Sequence, residues 1–208
     1  MGVIAEEINF GIDVGKRHDP TAIVAALPEG RFVGGRWETH FVIPYLKRID
    51  LGTPYPQQAA ELVDIVIKAT RKLADTTPTR SIQMPKIRVD VTGVGDAMVD
   101  LLKPKMREYG ILYPCRFTAG DRINRNGKEF GIGKAHFASR LQVLAESKRI
   151  HLPLVPEAQT LAQEMLDFDI DVDELSGKAS FGAIRPGTHD DLVCALGLAC
   201  LQDLPGMR

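Results

Sequence analysis

The chain has 208 residues, of which 44% are hydrophobic and 25% charged, and its formal net charge is −1. This length predicts one full-sized domain with its own core, or at most two small ones, and the composition is that of an ordinary soluble globular protein. A net charge near zero does not by itself indicate a nucleic-acid-binding protein.

Targeting signals and disulfides are not expected. No apolar run is long enough to cross a membrane, and the first residues lack the basic and apolar segments of a signal peptide. Three scattered cysteines are too few for a disulfide framework or a zinc cluster. We therefore expect a cytoplasmic protein without a membrane partner.

The first part of the chain predicts three strands and a helix. Ile8, Phe10, Ile12 and Val14 alternate along the first strand, which places Asp13 on the opposite face. We predict a second strand over residues 21–27, a turn over 28–30, a third strand over 31–43 and a helix over 55–74. The short connections between these strands predict an antiparallel meander.

The second part alternates strands and helices. We predict strands over residues 86–91 and 111–118 and a short extended piece over 150–152. We also predict a helix that opens at residues 92–96, runs through Met106 and is closed by residues 109–110, and helices over 134–147 and over 156–168 with Leu166 facing inward. The glycine-rich, basic stretch 119–132 predicts a long loop. A hairpin is expected over 169–184, with its turn at 176–178, before an apolar helix capped by Thr188. This order predicts one mixed α/β fold.

Charge is unevenly distributed along the chain. Residues 103–149 contain eleven Lys or Arg and four Asp or Glu, whereas residues 157–174 contain seven acids and no Lys or Arg. A basic segment of this kind can bind a phosphate backbone. A solvated surface without a partner is the alternative interpretation.

Three acidic positions lie at the ends of predicted core elements. Asp13 and Asp90 each end a strand, and Asp190 and Asp191 precede the apolar helix. If the two strands are neighbours, these carboxylates emerge at one edge of the sheet, where a divalent cation would relieve their repulsion. Oxygen ligands suit Mg²⁺ or Mn²⁺, and two such ions can promote phosphodiester hydrolysis. Taken singly, each acid has a structural alternative as a turn residue or as a favourable charge at a helix start.

The chain resembles the nuclease domain of the large terminase subunit of tailed bacteriophages, a member of the RNase H-like (retroviral integrase) superfamily. The resemblance rests on residues 11–15, 89–96 and 189–196, with sequences GIDVG, VDVTGVGD and HDDLVCAL. It implies an RNase H-like mixed β-sheet, with an antiparallel meander and parallel strands, flanked by helices and carrying an accessory β-hairpin. It also implies a metal-dependent endonuclease that cuts concatemeric phage DNA during packaging.

The resemblance implies roles for individual residues. The catalytic set would be Asp13, Asp90 and Asp191, with Asp191 favoured over Asp190 as the inner metal ligand. Asp190 and Asp19 would complete the residues around Mg²⁺ or Mn²⁺, with two ions expected. His189 is a further candidate for contact with metal or substrate, and its alternative role is structural, beside a helix cap.

The basic residues would line a groove for double-stranded DNA. The candidates are Arg122, Arg125, Lys128, Lys134 and Arg140, with Lys103, Lys105 and Arg107 nearby. Contacts to phosphates would position the duplex with little base readout. The resemblance implies a terminase ATPase domain, a small terminase subunit and a portal as partners, in the cytoplasm of the infected bacterial host.

The chain departs from a full-length large terminase in one respect. It contains no Gly-x-x-x-x-Gly-Lys-Ser/Thr stretch, and residues 131–134 have the wrong spacing for one. We therefore expect a single RNase H-like nuclease domain over residues 1–208, without the ATPase domain.

Three other functions are compatible with these residues. Another RNase H-like nuclease, such as a Holliday junction resolvase, would keep the same acids and differ in its DNA substrate. Residues 11–15 also resemble the first phosphate-binding turn of actin-like and sugar-kinase ATPases, although Lys16 replaces the usual Thr or Ser. A non-catalytic DNA-docking module would use the acids for stability alone.

Overall fold

The computed structural model of the protein describes residues 7–15, 19–76, 81–172, 179–183 and 189–202. These residues form an eight-stranded sheet, a separate two-stranded ribbon and five helices. The elements in chain order are β1 (Asn9–Asp13), β2 (Ala22–Val33), β3 (Arg36–Arg48), α1 (Tyr55–Thr76), β4 (Lys86–Asp90), α2 (Gly95–Met106), β5 (Ile111–Thr118), β6 (Ile123–Asn126), β7 (Glu129–Gly133), α3 (Lys134–Glu146), β8 (Ile150–His151), α4 (Pro156–Asp167), β9 (Phe168–Val172), β10 (Ala179–Ala183) and α5 (Asp191–Ala199).

The large sheet is mixed, as the sequence predicts. Its strand order is β6-β7-β5-β4-β1-β2-β3-β8. Strands β1, β2 and β3 form the antiparallel meander, and β1, β4, β5 and β7 are parallel to one another. The carboxyl ends of these four parallel strands therefore lie along one edge of the sheet.

The sheet separates two apolar layers. On one face, Phe10 and Ile12 of β1 pack in a cluster with Leu62 of α1 and Met98 of α2. On the other face, β2 packs against α5 in a second cluster that includes Val24 and Leu196. The alternation predicted for β1 is confirmed, because every second side chain enters the layer beneath α1 and α2 and the intervening positions face α5.

The first hairpin turn lies later in the chain than the sequence analysis predicts. Strand β2 continues through residues 28–30 to Val33, and Pro28 pairs with Phe41 of β3. The turn consists of Gly34 and Gly35, whose φ angles are +57° and +86°. Two successive positive φ angles match the right-handed twist of the flanking strands, and glycine adopts them without a steric penalty. The Gly-Gly pair therefore sets the hairpin in preference to Pro28-Glu29-Gly30.

Two further predictions are wrong. Residues 119–132 contain the β6–β7 hairpin rather than a long loop, because Phe130 and Ile132 are buried and add these strands to the sheet beside β5. Leu166 is 78% exposed, whereas Leu161 of the same helix is fully buried. The β9–β10 ribbon confirms the strands of the later hairpin, and its predicted turn at 176–178 lies outside the described residues.

None of the described helices is both long enough and apolar enough to cross a membrane.

Candidate active site

Asp13 and Asp90 lie side by side at the edge formed by the parallel strands. Strands β1 and β4 pair in parallel, with Ile12 opposite Val89. Asp13 and Asp90 are the next residues of the same register, each the last of its strand. Paired positions of parallel strands point to the same face of a sheet. The prediction that these two acids share one sheet edge is confirmed by the strand register.

Gly11 allows α5 to lie directly on β1 on that same face. A Cβ atom at Gly11 would be 1.9 Å from the carbonyl oxygen of Ala195 and 2.5 Å from the backbone nitrogen of Ala199. No side chain fits at such distances, so only glycine permits this approach. The contact directs the start of α5, with Asp190 and Asp191, toward the end of the strand that carries Asp13.

The resulting carboxylates influence one another electrostatically. Burial, followed by the negative charges of Asp90, Asp191, Asp190 and Asp19, raises the pKa of Asp13 well above its ordinary value. Burial and the charge of Asp191 also raise the pKa of Asp190. Clustered carboxylates with raised pKa values are typical of sites that hold a divalent cation or share a proton.

The carboxylate oxygens of these aspartates suit a hard cation such as Mg²⁺ or Mn²⁺, but the side chains do not converge on one point. In the described parts of the chain, no group of three or more His, Cys, Asp or Glu side chains is arranged to hold a metal ion. Asp90 Oδ1 instead accepts a hydrogen bond from the backbone N–H of Thr92 at 2.7 Å. Both oxygens of Asp191 accept hydrogen bonds from Arg48, so an ion bound through both oxygens of this carboxylate would compete with the guanidinium.

Arg48, at the end of β3, connects Asp191 to a second buried acid. Its Nε atom donates to Asp191 Oδ2 at 2.6 Å and its Nη2 atom donates to Asp191 Oδ1 at 3.2 Å. The same Nη2 atom donates to Oε1 of Glu164 in α4. The side chains of Asp191 and Glu164 are only 4% and 7% exposed. Buried carboxylates require such a partner, because an isolated buried charge costs several kcal/mol or more.

Glu164 also caps the start of α5. Its Oε2 atom accepts hydrogen bonds from the backbone N–H groups of Leu192 and Val193 at 3.1 and 3.2 Å. The residue before the first helical turn is Asp190, not the predicted Thr188, and it makes no side-chain capping bond. Burial raises the pKa of Glu164 to about 7, although the positive charge of Arg48 acts in the opposite direction. A side chain from another helix therefore replaces the local cap.

Arg48 and Glu164 are the site residues that the sequence analysis missed. Glu164 lies three residues after Leu161 on the buried face of α4, together with Ala158. An acid on an otherwise apolar helix face is the signal that marks such a residue. Arg48 follows Lys47 at the end of a strand. No local sequence pattern marks Arg48, rather than Lys47, as the residue that contacts the buried acids.

Asp19 and His189 lie at the margin of the carboxylate group. The Nδ1 atom of His189 is 3.6 Å from Asp19 Oδ1 and 3.9 Å from Asp191 Oδ1. The Asp19 side chain is 62% exposed and that of His189 is 40% exposed. The imidazole therefore lies between the loop after β1 and the start of α5, where a substrate or solvent can reach it.

Two of the five candidate DNA-binding residues, Arg122 and Lys134, lie at the edge of the sheet that carries Asp13 and Asp90. Lys134 begins α3 directly after the carboxyl end of β7, and the Arg122 carbonyl accepts the N–H of Gly133 at that same end. Arg122 has a side chain that is 86% exposed. Arg125 and Lys128 lie instead near the exposed turn of the β6–β7 hairpin, at the amino end of β7, and the Arg125 guanidinium is 5.6 Å from the ring centroid of Phe130.

Arg140 makes a contact within the fold. Its Nη2 atom donates to the carbonyl oxygen of Cys200, just after α5, at 3.0 Å. This bond links α3 to the end of α5. The role of all five basic residues in DNA binding stays a prediction.

No sequence model of a known family and no curated protein matches this chain. Comparison with solved structures finds the nuclease domain of the human cytomegalovirus terminase. The Mn-soaked form has a TM-score of 0.54 and 12% identity, and the match covers 94% of this chain and 81% of that one. A second structure of the same nuclease domain, described without Mn, has a TM-score of 0.52 and 14% identity, over 94% of this chain and 82% of that one.

The chain has a terminase nuclease-like fold. This likeness confirms the predicted RNase H-like class of mixed sheet flanked by helices. The nuclease domain of the bacteriophage SPP1 large terminase, with bound Mn, has a TM-score of 0.48 and 18% identity over 93% of this chain and 84% of that one. At identities this low, likeness between structures establishes the fold alone.

Proposed function

We propose that this protein is a divalent-metal-dependent endonuclease that hydrolyses phosphodiester bonds in DNA. The observation that supports it most strongly is the pairing of Asp13 with Asp90 at the carboxyl ends of β1 and β4, beneath the start of α5. The cytomegalovirus terminase nuclease domain, which has the same fold, was studied with Mn. Fold and carboxylate placement together favour nuclease chemistry over a structural role for the acids.

The candidate metal ligands are Asp13, Asp90 and Asp191, with Asp190 and Asp19 beside them. Their carboxylate oxygens are the donors that Mg²⁺ and Mn²⁺ prefer. Burial and then the neighbouring negative charges raise the pKa of Asp13, and a bound cation would offset both effects. When bound, one or two such ions supply the Lewis-acid charge for phosphodiester hydrolysis. We expect two ions.

The rest of the chain would position the substrate. Arg122 and Lys134 lie at the sheet edge that carries Asp13 and Asp90 and would contact the phosphates of double-stranded DNA. Arg125 and Lys128 would contact them from the turn of the β6–β7 hairpin. Phosphate contacts carry little sequence information, so we expect weak sequence preference and binding that weakens steeply with salt.

The biological setting follows from the terminase resemblance. The proposed role is cleavage of concatemeric phage DNA during genome packaging, by a nuclease domain that spans residues 1–208. An ATPase domain, a small terminase subunit and a portal would be its partners in the cytoplasm of the host bacterium.

Plasmid cleavage tests the nuclease activity directly. The purified chain is incubated with supercoiled plasmid in Mg²⁺, in Mn²⁺ and in chelator, and the products are separated on a gel. We expect nicking and linearisation that require the cation and are lost in Asp13→Asn. The matched control is Asp64→Asn, an exposed acid paired with Lys68 on α1, which should cut as well as the parent.

Two outcomes would contradict the proposal. One is undiminished cleavage by an Asp13→Asn variant with the circular dichroism spectrum of the parent. The other is the absence of cleavage by the parent with either cation. Cleavage of four-way junctions but not of linear or supercoiled duplex would instead favour a junction-resolving nuclease of the same fold.

A further inference from the structure

Arg48 makes the most extensive charged contact in the described part of the candidate site. Its guanidinium donates to both oxygens of Asp191 and to one oxygen of Glu164. The contact joins the end of β3 to α5 and α4, which are 143 and 116 residues away in the chain. Arginine is suited to this geometry because its planar donors match a carboxylate with two parallel bonds.

This arrangement occupies a carboxylate that the proposed function needs. The Asp191 oxygens that would bind a cation are the same atoms that accept from Arg48. A guanidinium and a divalent cation bound to one carboxylate would also repel each other. Bidentate pairing with Arg48 and full coordination of a cation are therefore competing states of Asp191.

We propose that Arg48 is a positioning residue that holds Asp191 while the site is without a cation and releases it when a divalent cation binds. The inference rests on the proposed function.

Glu164 gives Arg48 a second partner after the release. Its Oε1 atom accepts from Arg48, while its Oε2 atom is anchored by the N–H groups of Leu192 and Val193 at the start of α5. Arg48 can therefore exchange one carboxylate for the other by a side-chain movement alone. The guanidinium keeps a partner in both states, so neither state leaves a buried charge unpaired.

Because Arg48 and a cation would compete for Asp191, the contact with Arg48 should change the measured affinity for the cation. If cation binding displaces Arg48 from Asp191, then Arg48 weakens cation binding by the same free energy. Replacing Arg48 by an uncharged side chain should tighten Mn²⁺ binding. A purely supporting role, in which Arg48 orients Asp191 toward the ion, predicts the opposite change.

Mn²⁺ binding to the full chain is measured from the free-ion electron paramagnetic resonance signal, for the parent, Arg48→Gln and Arg48→Lys. We expect a dissociation constant roughly tenfold lower for Arg48→Gln, and an intermediate value for Arg48→Lys, which keeps the charge but loses the paired donors. Arg48→Lys also provides a result if Arg48→Gln does not fold. The same Arg48 substitutions are also measured in a chain that carries Asp191→Asn, which completes a double-mutant cycle. If Arg48 acts through Asp191, its replacement should not change the Mn²⁺ dissociation constant there.

The outcomes separate this inference from the proposed function. Mn²⁺ binding that Asp13→Asn abolishes, with an unchanged or weaker affinity in both Arg48 variants, would overturn the role of Arg48 and leave the metal site standing. A gain in affinity that persists in the Asp191→Asn background would also overturn it. Absence of Mn²⁺ binding to the parent would overturn both proposals.

Discussion

Gly11 of β1 and Ala195 of α5 are in such close contact that a Cβ atom on the glycine would be 1.9 Å from the alanine carbonyl oxygen. This approach sets the height of α5 above the sheet. It therefore also determines how near Asp191 comes to Asp13.

The first prediction concerns Gly11→Ala. The added methyl group must displace α5, and overpacking of this kind costs on the order of 2–3 kcal/mol of unfolding free energy. We also expect a loss of metal-dependent cleavage, because the start of the helix moves with it. Urea denaturation and the plasmid assay measure the two effects.

Gly30→Ala is the matched control for this substitution. A Cβ atom at Gly30 would be 3.6 Å from the nearest atom of the Trp37 ring, an ordinary contact. Its unfolding free energy should stay within about 0.5 kcal/mol of the parent. Equal stability of the Gly11 and Gly30 variants would show that α5 does not depend on the contact.

The second prediction is that Asp13→Asn stabilises the protein when chelator is present. Burial and the neighbouring carboxylates raise the pKa of Asp13, so its ionised form is disfavoured in the folded state at neutral pH. A neutral amide of the same shape removes that repulsion, and we expect a gain in unfolding free energy at pH 7. Thermal denaturation in chelator measures it, and a lower melting temperature than the parent would contradict the argument.

The third prediction is a pH dependence that originates in Glu164. Its pKa is raised from an ordinary 4.5 to about 7 by burial, so the folded state binds a proton more tightly than the unfolded state. The contribution of this group to stability is therefore fully present below about pH 4.5 and is lost as pH rises to about 7. The difference amounts to about 3 kcal/mol across that interval.

Glu164→Gln should remove this decline. We expect the unfolding free energies of the parent and the variant to converge at low pH and to diverge toward pH 7, with the variant the more stable. Glu157→Gln, an exposed position in the first turn of the same helix, is the control and should keep the slope of the parent. Parallel curves for the parent and Glu164→Gln between pH 4.5 and 7 would exclude Glu164 as the titrating group.

The fourth prediction concerns Arg122, whose exposed side chain lies beside the carboxylate edge. If it contacts one phosphate, Arg122→Gln should weaken DNA binding and lower the slope of log affinity against log salt concentration by about 0.9. Fluorescence anisotropy with a labelled duplex, in chelator, measures both quantities.

Arg36→Gln is the control for the DNA measurement. Arg36 is 80% exposed and lies at the far end of the β2–β3 hairpin, beyond the amino end of β1. Its replacement should leave the salt slope unchanged. An equal loss in both variants would indicate general electrostatic attraction rather than a groove beside the carboxylates.

The local sequence determined much of this protein. The alternation around Phe10 and Ile12 identified a core strand, the apolar run after Asp191 identified a buried helix, and both predictions are confirmed. Each depends on periodicity within a few residues, which a single sequence displays directly. The turn at Gly34 and Gly35 was equally local, but the competing Pro28-Glu29-Gly30 signal obscured it.

The tertiary structure alone decided how the site is assembled. Asp13 and Asp90 are neighbours because β1 pairs with β4, and no property of either segment specifies that pairing. The contacts of Arg48 with Asp191 and Glu164 join residues more than a hundred positions apart. A sequence pattern records which side chains are apolar and how they repeat. Which two charges share a buried position depends on the order of the strands and on the close contact that Gly11 permits.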